Sequence, residues 1–110
     1  MDSRGLLFIT PSRATSEEPV IDEVTMKMTA AFRASTESEY AYRGIHTCRC
    51  GAHSTNIDYF LPDGTMTNSL CVHYLAWHRE EVPQEQLDAV AALDSGLQQP
   101  SEEELEPPRL

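Results

Sequence analysis

The sequence predicts an α+β fold: one small domain with a short β-hairpin and strand region and about three helices. Three observations predict it. Apolar residues recur at helical spacing between Glu17 and Ala34. Residues 40–50 alternate with a period of two, and Pro62-Asp63-Gly64 divides two short strand-like runs. At 110 residues the chain is short enough that its core is marginal without a cross-link or a bound ion.

Arg4 to Thr10, RGLLFIT, reads as a short buried strand closed by Pro11. Ser16 then offers an N-cap, with Glu17 and Glu18 in the first turn where the helix dipole favours acids. Val20, Val24, Met28, Ala31 and Phe32 repeat at spacings that share one face, which predicts a helix over 17–34. Ile21 and Met26 widen that face, so the helix either lies in the core, the favoured reading, or meets a second copy or another subunit.

Ser35–Glu39 reads as a polar break. From Tyr40 onward Tyr42, Gly44, His46, Cys48 and Cys50 fall on one face of an extended strand. Asp58–Leu61, Pro62-Asp63-Gly64 and Thr65–Thr67 predict a β-hairpin, because proline presets the turn and glycine supplies its positive φ. Thr67, Asn68 and Ser69 are successive cap candidates for a helix running to about Arg79, with Leu70, Tyr74 and Trp77 on one side. Pro83 opens a further helix whose stripe is Leu87, Val90, Ala91 and Leu93, with Gly96 ending it. The domain is thus expected over 1–96. Residues 97–110, with three prolines and four glutamates, are expected to form an acidic disordered tail.

The stretch 44–81 concentrates the chemistry. It contains all three cysteines, all four histidines and the only tryptophan. Cysteines separated by a single residue rarely bridge each other, so metal ligation is the better account of Cys48 and Cys50. In a flat strand their Cβ atoms stand roughly 6–7 Å apart, too far for two thiolates about 2.3 Å from one zinc ion. The chain is therefore expected to curl at Cys50-Gly51.

The other two ligands are expected from the following helix. His73 and His78 are five apart, about 140° around an ideal helix and about 7.5 Å along it. That is awkward in a straight helix but falls within the spacing of zinc-finger histidines when the last turn loosens. Cys71 and His78 share a face but stand about 10.5 Å apart, and Cys71 and His73 lie on nearly opposite sides. The expected site is therefore of Cys₂His₂ type: Cys48, Cys50, His73 and His78 around Zn2+. A ligand set that includes Cys71 is the alternative; otherwise Cys71 reads as a buried core cysteine, and His46 as a neighbouring or substitute ligand.

A strand turn with two cysteines, a hairpin and a helix with two histidines resemble a Cys₂His₂ zinc finger over residues 48–78. Such fingers place two to four residues between the cysteines and about twelve before the first histidine. Here one residue separates the cysteines and 22 separate Cys50 from His73. A second resemblance lies in the order His53, Asn68 and His78, with Asn68-Ser-Leu-Cys71, which is similar to HNH nucleases of the ββα-metal type. That resemblance implies His53 as general base, Asn68 as a positioning residue and His78 as a metal ligand. Ala52 departs from it, standing where that family commonly has an acidic or histidine ligand.

Charge narrows the function classes. The net charge is -10, and residues 80–110 supply nine acids against one base, or -8 of it. Neither half has the basic stripe that phosphate contacts require, so nucleic acid is not the expected partner. No apolar run approaches the ~20 residues of a membrane helix. Residues 5–9 are too short for a signal-peptide core, so a cytoplasmic protein is expected. Catalytic zinc patterns such as His-Glu-x-x-His, a glycine-framed serine elbow and a phosphate-cradling loop are absent. The expectation is a non-catalytic zinc-binding module for protein interaction, or an accessory subunit, with a homo-oligomer also open.

Overall fold

The computed structural model describes residues 6–9, 17–41, 47, 48, 50–55 and 57–107. They form an α+β domain in which four helices accompany a three-stranded antiparallel sheet of order β1-β2-β3. Its strands are β1 (Thr36–Ala41), β2 (Ile57–Phe60) and β3 (Met66–Thr67). Its helices are α1 (Glu23–Arg33), α2 (Cys71–Trp77), α3 (Gln84–Ala91) and α4 (Glu102–Leu105), with a single 3₁₀ turn at Arg79–Glu81. No described helix is long and apolar enough to cross a membrane.

The hairpin forms as its turn residues dictate. Tyr59 pairs with Thr67 and Phe60 with Met66. Gly64, at φ 89°, closes the turn with its N–H donating to Leu61. β1 covers what the sequence suggests is a polar break: Thr36 and Glu37 pair with Phe60 and Tyr59. As an edge strand it needs only one neighbour, so the absence of an apolar alternation did not prevent pairing.

α1 begins six residues later than its periodicity suggests. Asp22 is its cap, accepting the Thr25 N–H through its carboxylate. Pro19 and Val20 precede it in a loop, and the Val20 N–H donates to the carbonyl of Ala76 in α2. Ser16, the expected cap, lies outside the described residues. At the N-terminal end Leu6 and Leu7 are buried, yet they are not in a strand. Leu6 exchanges hydrogen bonds with Met66 and the Thr67 hydroxyl, and Leu7 then turns to φ 61°, which ends any ladder.

α2 is the axis of the domain. Every residue from Cys71 to Ala76 is buried, so its surface faces protein on all sides. It packs against α1 on one flank and α4 on another, while α3 packs on α1. Leu7, Met28, Leu70, Leu75 and Val90 fill the space between them.

Part of the C-terminal stretch, expected as an acidic tail, is helical and packs on α2. Residues 97–107 are described and carry α4, a helix with a complete capping box between Ser101 and Glu104. Gln98 donates its N–H to Met26, Arg33 grips Glu104 from two nitrogens, and Pro107 is buried. Composition argued against burial of apolar area, but polar ties to α1 combine with the packing of Leu105 on the core and the burial of Pro107.

Candidate metal centre

The two cysteines arrive on a tight loop. Thr47 and His53 form an antiparallel bridge, inside which Cys48 and Ala52 are joined by a Cys48 N–H bond of 2.8 Å to the Ala52 carbonyl. The Gly51 N–H returns to the Cys48 carbonyl, with Gly51 at φ 102°. Only glycine takes that angle without cost, and the turn it makes brings the two sulfurs toward one side. This is the curl the ligand spacing demanded.

The two histidines arrive at the end of α2. His73 is within the helix, whereas His78 is its C-cap, with φ −126° and ψ 34°. The chain has left the helical path there while the His78 N–H still reaches the Tyr74 carbonyl at 2.9 Å. That departure resolves the awkward five-residue spacing: the rings stand 5.1 Å apart, centre to centre, at 66°.

The four side chains converge. Cys48 Sγ is 3.2 Å from His78 Nε2, and Cys50 Sγ is 3.2 Å from His73 Nε2. One ligand atom from each residue lies within 4.8 Å of all the others. Zinc bonded tetrahedrally to two sulfurs and two nitrogens separates neighbouring ligand atoms by about 3.3–3.8 Å. The two Cys–His contacts are close to that scale, the widest separation is up to about an ångström greater, and the donor set could hold a metal ion. Cys48, His73 and His78 are each 1% exposed, and only Cys50 has a partly open side.

No protein-family model, curated protein or solved structure matches the chain.

The remaining candidates fall elsewhere. Cys71 is fully buried in the core, where desolvation pushes its thiol up to about 12, and it does not belong to the cluster. His46 lies outside the described residues. Asn68 is 1% exposed, and its amide is spent on the backbone: Nδ2 donates to the Leu7 carbonyl and Oδ1 accepts from the Leu70 N–H. Of the His53, Asn68, His78 set, only His78 lies in the cluster. His53 faces the carbonyl of its neighbour Ser54 through Nδ1 and is not part of the cluster.

Sequence reasoning missed the support around the ligands. His73 Nδ1 donates to the carbonyl of Leu105 at 2.8 Å, and the indole of Trp77 donates to the same oxygen at 3.1 Å. An acceptor on Nδ1 fixes the proton there and leaves the Nε2 lone pair facing the cysteines. The only local signal for this was Ser101-Glu-Glu-Glu104, whose capping-box pattern announces a helix start.

Proposed function

We propose that this chain is a non-catalytic, zinc-stabilised module that serves protein interaction or an accessory role, with the metal as part of its fold. One observation carries the reading: four protein ligand atoms, two sulfurs and two imidazole nitrogens, lie within 4.8 Å of one another. A tetrahedral ion so held has no position left for water or substrate, the mark of structural rather than catalytic sites. Paired thiolate and imidazole ligands in a tetrahedron favour zinc over hard cations. When bound, zinc supplies folding free energy, on the order of 10 kcal/mol or more in small zinc domains. Cys48, Cys50, His73 and His78 would hold it, joining the 47–53 loop to the central helix.

Interaction with another protein is supported by what the surface retains. Phe8, Ile21 and Leu97 are large apolar side chains more than a third exposed, and Glu102, Glu103 and Glu106 leave negative charge on the C-terminal segment. These side chains offer contact area and charge to a protein surface. Metal analysis by mass spectrometry on protein purified without chelator tests the reading. One zinc per chain, with loss of far-ultraviolet circular dichroism on chelation, is expected. Metal-free protein that keeps its fold would sink it.

A further inference from the structure

The four ligands are local to residues 48–78, yet the outer contact of His73 comes from Leu105, 32 residues on. A carbonyl oxygen has two lone pairs, and here both go to the metal-bearing helix: one to His73 Nδ1, one to Trp77 Nε1. Leu105 has to be held at that spot, and three ties hold it. The Ser101 hydroxyl accepts the Glu104 N–H while the Glu104 carboxylate accepts the Ser101 N–H. Arg33 binds both oxygens of the Glu104 carboxylate, through Nε at 3.1 Å and Nη2 at 2.6 Å. The same guanidinium also holds Gln98 and the Gln99 carbonyl.

We infer that the C-terminal segment 98–105 is a positioning element of the metal centre. Leu105 orients the His73 ring, the Arg33–Glu104 pair keeps Leu105 docked, and undocking the segment opens the ion to exchange. The inference rests on the zinc reading of the four-residue cluster. Its physical basis is that a metal-bound imidazole whose second nitrogen loses its acceptor becomes free to rotate and a poorer ligand. Docking of the segment also depends on an ion pair whose arginine side chain is 39% exposed and whose carboxylate is 16% exposed, so another charged surface can compete from the arginine side.

The full-length chain loaded with zinc provides the test. Trp77 is the only tryptophan, and its indole donates to Leu105, so its emission reports docking directly. Glu104→Lys reverses the charge facing Arg33. Glu104→Gln can keep the capping box while it removes the charge and one of the two acceptors for Arg33. Zinc transfer to a chromogenic chelator at neutral pH is expected to quicken about tenfold in Glu104→Lys and less in Glu104→Gln, the loss typical of a removed outer-shell partner. Both variants should still hold one zinc, Trp77 emission should shift to the red in the same order, and Arg33→Glu added to Glu104→Lys should slow transfer again. A red shift with transfer within twofold of wild type overturns the inference, and so does unshifted emission in both variants. Wild-type protein that binds no zinc defeats the zinc reading instead, a separate outcome.

Discussion

His73 Nδ1 stands 2.8 Å from the carbonyl oxygen of Leu105, while Nε2 of the same ring stands 3.2 Å from the sulfur of Cys50. A carbonyl can only accept, so the proton belongs on Nδ1 and the lone pair on Nε2. Long-range proton–nitrogen correlation spectra of labelled protein should show this tautomer for His73, with Nε2 shifting on addition of zinc. Observation of the Nε2-protonated form in the loaded protein would contradict the arrangement.

The ligand set makes a sharper demand. Cys48→Ser, Cys50→Ser, His73→Ala and His78→Ala should each lower zinc content below one per chain and reduce helicity at 25 °C. Loss of an ion that joins two elements removes a large part of the folding free energy of a chain this size. Cys71→Ala should behave differently. That residue is buried outside the cluster, so zinc content stays at one while thermal stability falls by about 1–2 kcal/mol for a small cavity. Retention of zinc in His73→Ala, or its loss in Cys71→Ala, would redraw the site.

How much of this was legible depended on whether the cause was local. That Cys48, Cys50, His73 and His78 come together could be read from the sequence, because donor chemistry matches the cysteine pair to the histidine pair and helical arithmetic acts within each pair. The arithmetic even required the loosened turn that His78 provides as C-cap. The Pro62-Asp63-Gly64 hairpin was legible for the same reason. The start of α1 was not, because Asp22 is favoured as cap by Arg79, 57 residues away. Nor was the packing of α4, since its partners Arg33, His73 and Trp77 are distant in sequence. There, acidic composition outweighed the short Ser101–Glu104 signature, and tertiary contacts reversed the balance.

Gly51 tests the loop that carries the cysteines. Its φ of 102° lies where a side chain is strained, a cost of roughly 1–2 kcal/mol for a non-glycine residue. Gly51→Ala is therefore expected to lower the melting temperature of the zinc-loaded protein by several degrees. It should also weaken zinc affinity, because relief of the strain moves Cys50 away from His73. A chelator competition titration measures the second effect. Unchanged affinity would mean that the loop reaches its metal-binding shape without the left-handed turn.

Asp22 connects the first helix to the stretch that carries His73 and His78. Its carboxylate accepts the Thr25 N–H and meets both terminal nitrogens of Arg79, the residue after His78. The hydrogen bond from Arg79, with the cap and charge beside it, holds the Asp22 carboxyl down at about 2, against an ordinary value of 3.8. A depressed carboxylate contributes stability that is complete above the unfolded value and disappears as pH falls through the folded one. Asp22→Ala loses cap and ion pair together and should cost about 1 kcal/mol or more at neutral pH, a fall of roughly 4–8 °C in melting temperature. Asp22→Asn keeps a capping oxygen but not the charge, so its smaller deficit isolates the Arg79 pair. That deficit should be flat from pH 8 to 5 and shrink below about pH 4, as the wild-type carboxylate protonates and the advantage of the charge is lost. Release of metal by acid acts on both proteins and cancels in the difference between their unfolding free energies, measured by urea titration at each pH. A gap that widens on acidification would show that the charge of Asp22 opposes the fold.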